Sequence, residues 1–165
     1  MSEMIVRVVV AGEPHSQPRP RFVRGRVISN ISPAVSRWQR EVETACRAAL
    51  CAIAGRITQG MALRVDVTFF FPTKKSDRWG KPHTMKPDRD NCDKLILDEA
   101  TKVGLFGGDD CRVSAGMIRK YWVNPQGQGA VIEIYEDTST TDINGVEQRE
   151  LPFEKPGWLI SAEGQ

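Results

Sequence analysis

Met4 to Val10 is a run of β-branched residues, the pattern of a strand buried on both faces, and it ends at Gly12. His15 to Ile28 is rich in Pro and Arg and reads as a basic loop, with room for a short hairpin around Arg24 and Gly25. Ser32-Pro33 supplies an N-cap followed by proline at the first helical position. Behind it Val35, Trp38, Val42, Ala45, Ala49 and Ile53 recur at steps of three and four, which predicts a long amphipathic helix closing at Gly55. From Ala62 to Phe71, apolar Leu63, Val65, Val67, Phe69 and Phe71 alternate with Arg64, Asp66 and Thr68, a half-buried strand that Pro72 ends. Cys92, Leu95, Ile96, Ala100 and Val103 then give helical spacing over Asn91 to Val103, with Gly104 at the C-cap. Val113 to Val123 and Ala130 to Tyr135 read as two further strands, joined as a hairpin through Asn124-Pro125-Gln126-Gly127.

The order β-loop-α-β-α-β-β predicts an α+β fold, a single domain with one mixed β-sheet and two main helices packed on it. That domain takes up residues 1–136. From residue 137 to 165 periodicity is lost among Thr, Ser, Asp, Gly and Glu, and the stretch reads as a flexible acidic C-terminal tail.

Length and composition agree with one soluble domain: 165 residues, 40% hydrophobic and 27% charged. No apolar run is long enough for a membrane span, and the N-terminus lacks a signal-peptide pattern, so a cytoplasmic location is expected. The four cysteines, Cys46, Cys51, Cys92 and Cys111, form no C-x-x-C pair and read as reduced, mostly structural thiols. With only His15 and His83 there is no Cys/His zinc set, and any catalysis falls to carboxylates. The net charge of +2 is unevenly spread: residues 136–165 hold seven acids against Arg149 and Lys155, a balance of −5, and the remainder carries +7. Between Glu13 and Glu41 there is no acid, while Arg19, Arg21, Arg24, Arg26, Arg37 and Arg40 all fall there. Lys74, Lys75, Arg78, Lys81 and Lys86 form a second basic stretch. A basic body of this kind points to a polyanion, with Arg19, Arg21, Arg24, Arg26, Lys74, Lys75 and Arg78 as its candidate contacts; solvated basic loops are the plainer account of the same residues.

The chemistry concentrates in Lys86-Pro87-Asp88-Arg89-Asp90-Asn91-Cys92-Asp93-Lys94, then Asp98, then Gly107-Gly108-Asp109-Asp110. Asp88 and Asp90, two apart on an extended backbone before a helix, project to the same side and can share a cation. Mg²⁺ takes oxygen ligands and keeps several waters, so two or three carboxylates at a cleft edge suit it. Asp109 or Asp110 supplies a third if the chain folds back. Lys94 lies one turn beyond Asp90, and Asp98 one turn further, placed to hold Lys94. The alternative is structural: Asp90 caps the helix and Lys94 is a solvated i,i+4 partner.

The whole pattern resembles the RusA family of Holliday-junction resolvases, found in phages and prophages. The resemblance lies in a P-D-x-D-N-x-x-K helix start, its continuation and a closing D-D, here Pro87, Asp88, Asp90, Asn91, Lys94, Asp98, Thr101, Gly104, Asp109 and Asp110. Gly12-x-Pro14 and Pro18-Arg19-Pro20-Arg21 are similar to the family's N-terminal portion, and the likeness runs over residues 4–136. Cys92, Asp93 and the acidic tail depart from it. The resemblance implies a homodimeric, metal-dependent endonuclease acting in DNA recombination and repair. Asp88, Asp90 and Asp110 become Mg²⁺ ligands (Mn²⁺ a substitute), Lys94 the catalytic cation, and Asp109 and Asp98 supporting groups. The substrate is then a four-way junction, cut by two symmetric nicks. A non-catalytic DNA-binding dimer, or the same chemistry on other branched DNA, are the competing readings.

Smaller features remain. Phe69 to Phe71 suit either a junction wedge or the core, core being favoured for the inward pair; Trp38 reads as core and His83 as a surface histidine. Trp79, in a polar loop, either stacks on a base or covers the sheet. In the tail, Gln148, Leu151 and Phe153 resemble the short peptide with which bacterial replication and repair proteins dock on the sliding clamp.

Overall fold

The computed structural model describes residues 3–18, 21–23, 25–28, 31–53 and 55–140. The tail residues Gln148, Leu151 and Phe153, and Arg19 and Arg24, lie outside the described residues, as do the side chains of Arg21 and Arg26. Seven strands and two helices follow in the order β1 (Met4–Ala11), β2 (Arg21–Val23), β3 (Arg26–Ile28), α1 (Pro33–Ile53), β4 (Leu63–Pro72), α2 (Arg89–Lys102), β5 (Val113–Ala115), β6 (Ile118–Val123) and β7 (Gly129–Glu136). The fold is α+β, one mixed five-stranded sheet with two helices, as the periodicity predicts. The basic segment does carry a short hairpin, Arg21–Val23 against Arg26–Ile28, around Gly25.

The sheet runs β1-β7-β4, with β5 and β6 both on the far side of β4. β7 is antiparallel to β1 and β4, whereas β5 and β6 run parallel to β4. Parallel pairing needs a crossover, and α2 supplies it. The expected hairpin between Val113–Val123 and Ala130–Tyr135 is therefore absent. Pro72 stops β4, the chain from Asn124 to Gln128 crosses its end, and β7 returns on the opposite flank, opposing Gly129 to Phe70.

Two further expectations are corrected. The stretch Val113–Val123 is two strands rather than one, because the chain is pinched at Gly116–Met117. A Cβ on Gly116 would stand 2.1 Å from the Val65 carbonyl oxygen, and the Met117 N–H turns to the Asp66 carboxylate at 2.9 Å. Asp66 is itself buried, paired with Arg64 at 2.6 Å. Strand β1 is an edge strand with one open face, Val9 being 67% exposed, rather than a strand buried on both sides. A β-branched run shows that a segment is extended, not where in the sheet it sits.

Both helices contribute to a single core. Trp38, Val42, Cys46, Ala49 and Ile53 of α1 and Cys92, Leu95, Ile96 and Ala100 of α2 join Val8, Val10, Val67, Phe69, Ile132 and Ile134 of the sheet. Full burial of one such Leu, Ile or Val side chain contributes roughly 1.5–3 kcal/mol. The Ser32 hydroxyl accepts from the Val35 N–H at 3.3 Å, the N-cap that its sequence position predicts. Phe69 and Phe71 are core, and Cys46 and Cys92 are buried, with both thiols pushed up to about 12 chiefly by desolvation.

Candidate active site

Helix α2 carries most of the chemistry on one stripe. Asp88 is its N-cap, with extended backbone (φ −68°, ψ 145°), and its carboxylate makes no capping hydrogen bond with the described residues. Asp90 lies in the first helical turn. The two are therefore separated by a helix start rather than by extended chain, which corrects the alternation expected of them, and the cap position belongs to Asp88, not Asp90. Lys94 and Asp98 follow at four-residue steps, and the Lys94 ammonium meets the Asp98 carboxylate at 3.3 Å.

The chain after α2 brings the last carboxylates back. Gly104, at φ +80°, reverses direction while its N–H and that of Leu105 close on Thr101 and Ala100 at 2.9 and 3.0 Å. Leu105 and Phe106 then plug into the core. Arg112 ties the turn down, donating to the Phe106 carbonyl at 2.8 Å and to that of Thr58. Asp109 and Asp110 stand at the exit. Their carboxyls share a hydrogen bond, which holds Asp110 above and Asp109 below the ordinary carboxylate range. Partial desolvation and the negative charges of Asp109 and Asp98 raise Asp110 further, and Lys94 opposes them. The fold thus brings Asp110, Asp109, Asp98 and Lys94 into one electrostatic group.

Asp110 lines two clefts. One, open and about 540 Å³, is lined by Gln17, Asp98, Thr101, Lys102 and Asp109. The other is lined by Asp93, Leu97, Ser114 and Gly116. Asp93, which the sequence marks only as a departure from the family pattern, lines this second cleft; burial pushes its carboxyl up to about 6, against the pull of Arg89. Its only sequence signal is a carboxylate one helical step off the Asp90 stripe.

Two backbone ties set the start of α2. The Gln17 N–H donates to the Asn91 carbonyl at 2.9 Å, so the arginine-rich segment departs from this end of the helix. Lys120 of β6 donates to the carbonyls of Met85 and Pro87 at 2.8 and 2.5 Å, fixing the chain just before Asp88. Nothing local in the sequence marks Lys120, because its partners are more than thirty residues away.

Of the second basic stretch, Lys74, Lys75 and Lys81 are exposed, while Arg78 folds over the Trp122 ring at 5.8 Å. His83 is buried rather than a surface residue. Its ring lies between those of Phe71 and Trp122, centroids 4.1 Å away on each side and tilted by 32° and 44°, and its backbone N–H donates to the Lys120 carbonyl at 2.9 Å, which holds the loop on β6.

The family match covers nearly all of this. The model of endodeoxyribonuclease RusA matches residues 11–135, from the end of β1 to the end of β7, with every carboxylate just described inside. This chain belongs to the RusA endodeoxyribonuclease family. It is also similar to the crossover junction endodeoxyribonuclease rusA of Lactococcus phage r1t, 35% identical over 51 residues, which is 31% of this chain and 39% of that phage protein. The aligned stretch thus spans well under half of that relative.

Among the described residues of this RusA-family chain, no three His, Cys, Asp or Glu side chains converge on one metal position. The donor chemistry nevertheless suits a hard divalent cation: the acids are carboxylates, and the mutual repulsion around Asp110 is what a cation would relieve. No described helix is long and apolar enough to cross a membrane.

Proposed function

We propose that this RusA-family chain is an Mg²⁺-dependent, structure-selective endonuclease that resolves four-way DNA junctions by paired symmetric nicks leaving 5′-phosphates. The observation that supports the reading is the return of Asp109 and Asp110 to the cleft that Asp98 lines on α2, with the Lys94 ammonium 3.3 Å from the Asp98 carboxylate. Asp88, Asp90 and Asp110 would hold the metal. When bound, it supplies an activated water and offsets charge at the phosphorus. Lys94 stabilises charge on the phosphorane oxygens and the leaving 3′ oxygen, and Asp98 holds its ammonium until phosphate arrives. Asp109 shares a proton with Asp110 in the metal-free pair and is a supporting group beside that ligand.

A four-way junction has two strands to cut at symmetric positions, which a two-fold homodimer matches with two identical sites. The purely structural alternative, in which these carboxylates cap the helix, is disfavoured because the cap residue Asp88 makes no capping bond with the described residues. The test is cleavage of a synthetic four-way junction with Mg²⁺, with Mn²⁺ and with chelator, beside Asp90→Asn. Metal-dependent paired nicks lost in the variant are the expected result. Binding without cleavage at any metal concentration would leave only a DNA-binding dimer, and cutting forks or flaps in preference to junctions would change the substrate but not the chemistry.

A further inference from the structure

The segment between β4 and α2 holds a large aromatic side chain outside the core. Trp79 is 45% exposed, yet it is not loose. Its indole Nε1–H donates to the Thr73 carbonyl at 2.9 Å, and its backbone N–H to Ser76 at 3.2 Å. The residues after it are bound to β6: the Gly80 N–H reaches the Trp122 carbonyl at 2.8 Å, and the Trp122 N–H reaches that of Lys81 at 2.9 Å. The ring's one polar atom is therefore satisfied internally, and the rest of its exposed surface is apolar aromatic carbon.

The surroundings are cationic. Lys74, Lys75 and Lys81 are exposed around it, and Asp77 is the only acid between Thr73 and Pro87. Arg78 is turned away onto Trp122, which leaves the lysines as the outward cations of this loop. A fixed aromatic face set among cations is the combination that binds a nucleic-acid strand by stacking a base and neutralising the phosphates beside it. In intact duplex both faces of every base are already covered by neighbouring pairs. Only a base unstacked at a branch point, gap or single-stranded end has a face to offer.

We propose that Trp79 is a stacking platform for an unstacked base of branched DNA, with Lys74, Lys75 and Lys81 holding the flanking phosphates. This deepens the nuclease reading and rests on DNA being the substrate. Its consequence is selectivity: Trp79 contributes to binding branched DNA and not duplex, whereas the lysines contribute to both. Because the loop is already ordered by its bonds to Thr73 and β6, little conformational freedom is lost on binding.

The experiment measures binding in metal-free buffer, where cleavage is not under test, using the full chain with a four-way junction and with a linear duplex of the same arm sequence. Trp79→Ala and Trp79→Leu, the latter keeping apolar bulk without a π face, should each weaken junction binding about tenfold and leave duplex binding unchanged. Trp79→Phe should retain most of the affinity. A 2-aminopurine at the branch point should change fluorescence with the wild-type chain and not with Trp79→Leu. Equal losses on junction and duplex, or no loss on either, would overturn the platform while leaving the nuclease reading standing. A change of oligomeric state in Trp79→Leu would also overturn it and make the ring a contact with a second copy of this chain. A wild-type chain that binds neither DNA would defeat both proposals together.

Discussion

The ammonium of Lys120 lies 2.5 Å from the carbonyl oxygen of Pro87, so a residue of β6 fixes the backbone immediately ahead of Asp88. Asp88 is the N-cap of α2: its carbonyl accepts the first helical hydrogen bond, from the Cys92 N–H at 3.1 Å, but its own backbone is extended, so the direction of its side chain depends on the chain ahead of it.

Lys120→Met should therefore lower kcat for junction cleavage while changing junction affinity little. Two charge-assisted hydrogen bonds are lost, and a stability decrease of roughly 1.5–3 kcal/mol is expected in a denaturant melt. Lys120→Arg should recover part of both. Unchanged kcat in a destabilised Lys120→Met would reduce Lys120 to a structural residue.

Asp88→Asn, Asp90→Asn and Asp110→Asn should each abolish cleavage and leave junction binding intact or tighter, because losing a carboxylate weakens metal binding and relieves repulsion of phosphate. Asp109→Asn should be milder, since its part is to bond Asp110. Gel-shift and cleavage assays on one junction separate the two effects. Full activity in Asp90→Asn would remove it from the ligand set.

Lys94→Ala should slow the chemical step far more than it weakens binding, as a cation directed at transition-state charge does. Its ion pair with Asp98 is solvent-exposed, and such pairs contribute only about 0–1 kcal/mol, so the variant should melt near the wild type. Single-turnover rates against junction Kd give the answer. A loss confined to Kd would make Lys94 an ordinary phosphate contact.

His83 contributes one part of the pH dependence of the fold. Burial between Phe71 and Trp122, helped by the charge of Lys120, lowers its pKa below the ordinary 6.5. The unfolded chain then binds the proton more readily than the folded one, so the contribution is complete above about 6.5 and is lost as pH falls below that value. Acidification from pH 7 toward 5 should cost the wild-type chain Tm relative to His83→Phe, a comparison from which Asp93 drops out, since its raised carboxyl takes up a proton over the same range and works in the opposite direction in both chains. Parallel curves for the two chains would place the acid sensitivity elsewhere.

A peptide covering Thr141 to Trp158 should bind a bacterial sliding clamp, and its Leu151→Ala, Phe153→Ala version should not. Calorimetric titration of both is sufficient. Identical behaviour of the two peptides would end the proposal.

The helices were legible because their signals are local: Ser32, the three- and four-residue apolar steps and Gly104 all act within a few positions of one another. Strand neighbours were not, since Val113–Val123 and Ala130–Tyr135 carry proper strand patterns whether they pair with each other or, as here, with opposite flanks of β4. The same limit explains His83, whose burial depends on Phe71 and Trp122, and Lys120, whose partners lie across the fold. For the candidate site, the Lys94–Asp98 pair was legible from spacing along α2, whereas spacing left the choice between Asp109 and Asp110 open and only the family resemblance singled out Asp110. Asp93 was passed over because its cleft is completed by β5 and Gly116.

The insertion of β7 between β1 and β4 also imposes an order on synthesis. Strand β1 waits for β7, so until residues 129–136 leave the ribosome β1 and one edge of β4 have unpaired backbone and apolar faces to protect. Contacts between such distant segments close slowly, and the nascent chain is exposed to aggregation for most of its translation. A chain released before Gly129 would hold the helices and the carboxylates yet lack the strand that joins the two halves of its sheet.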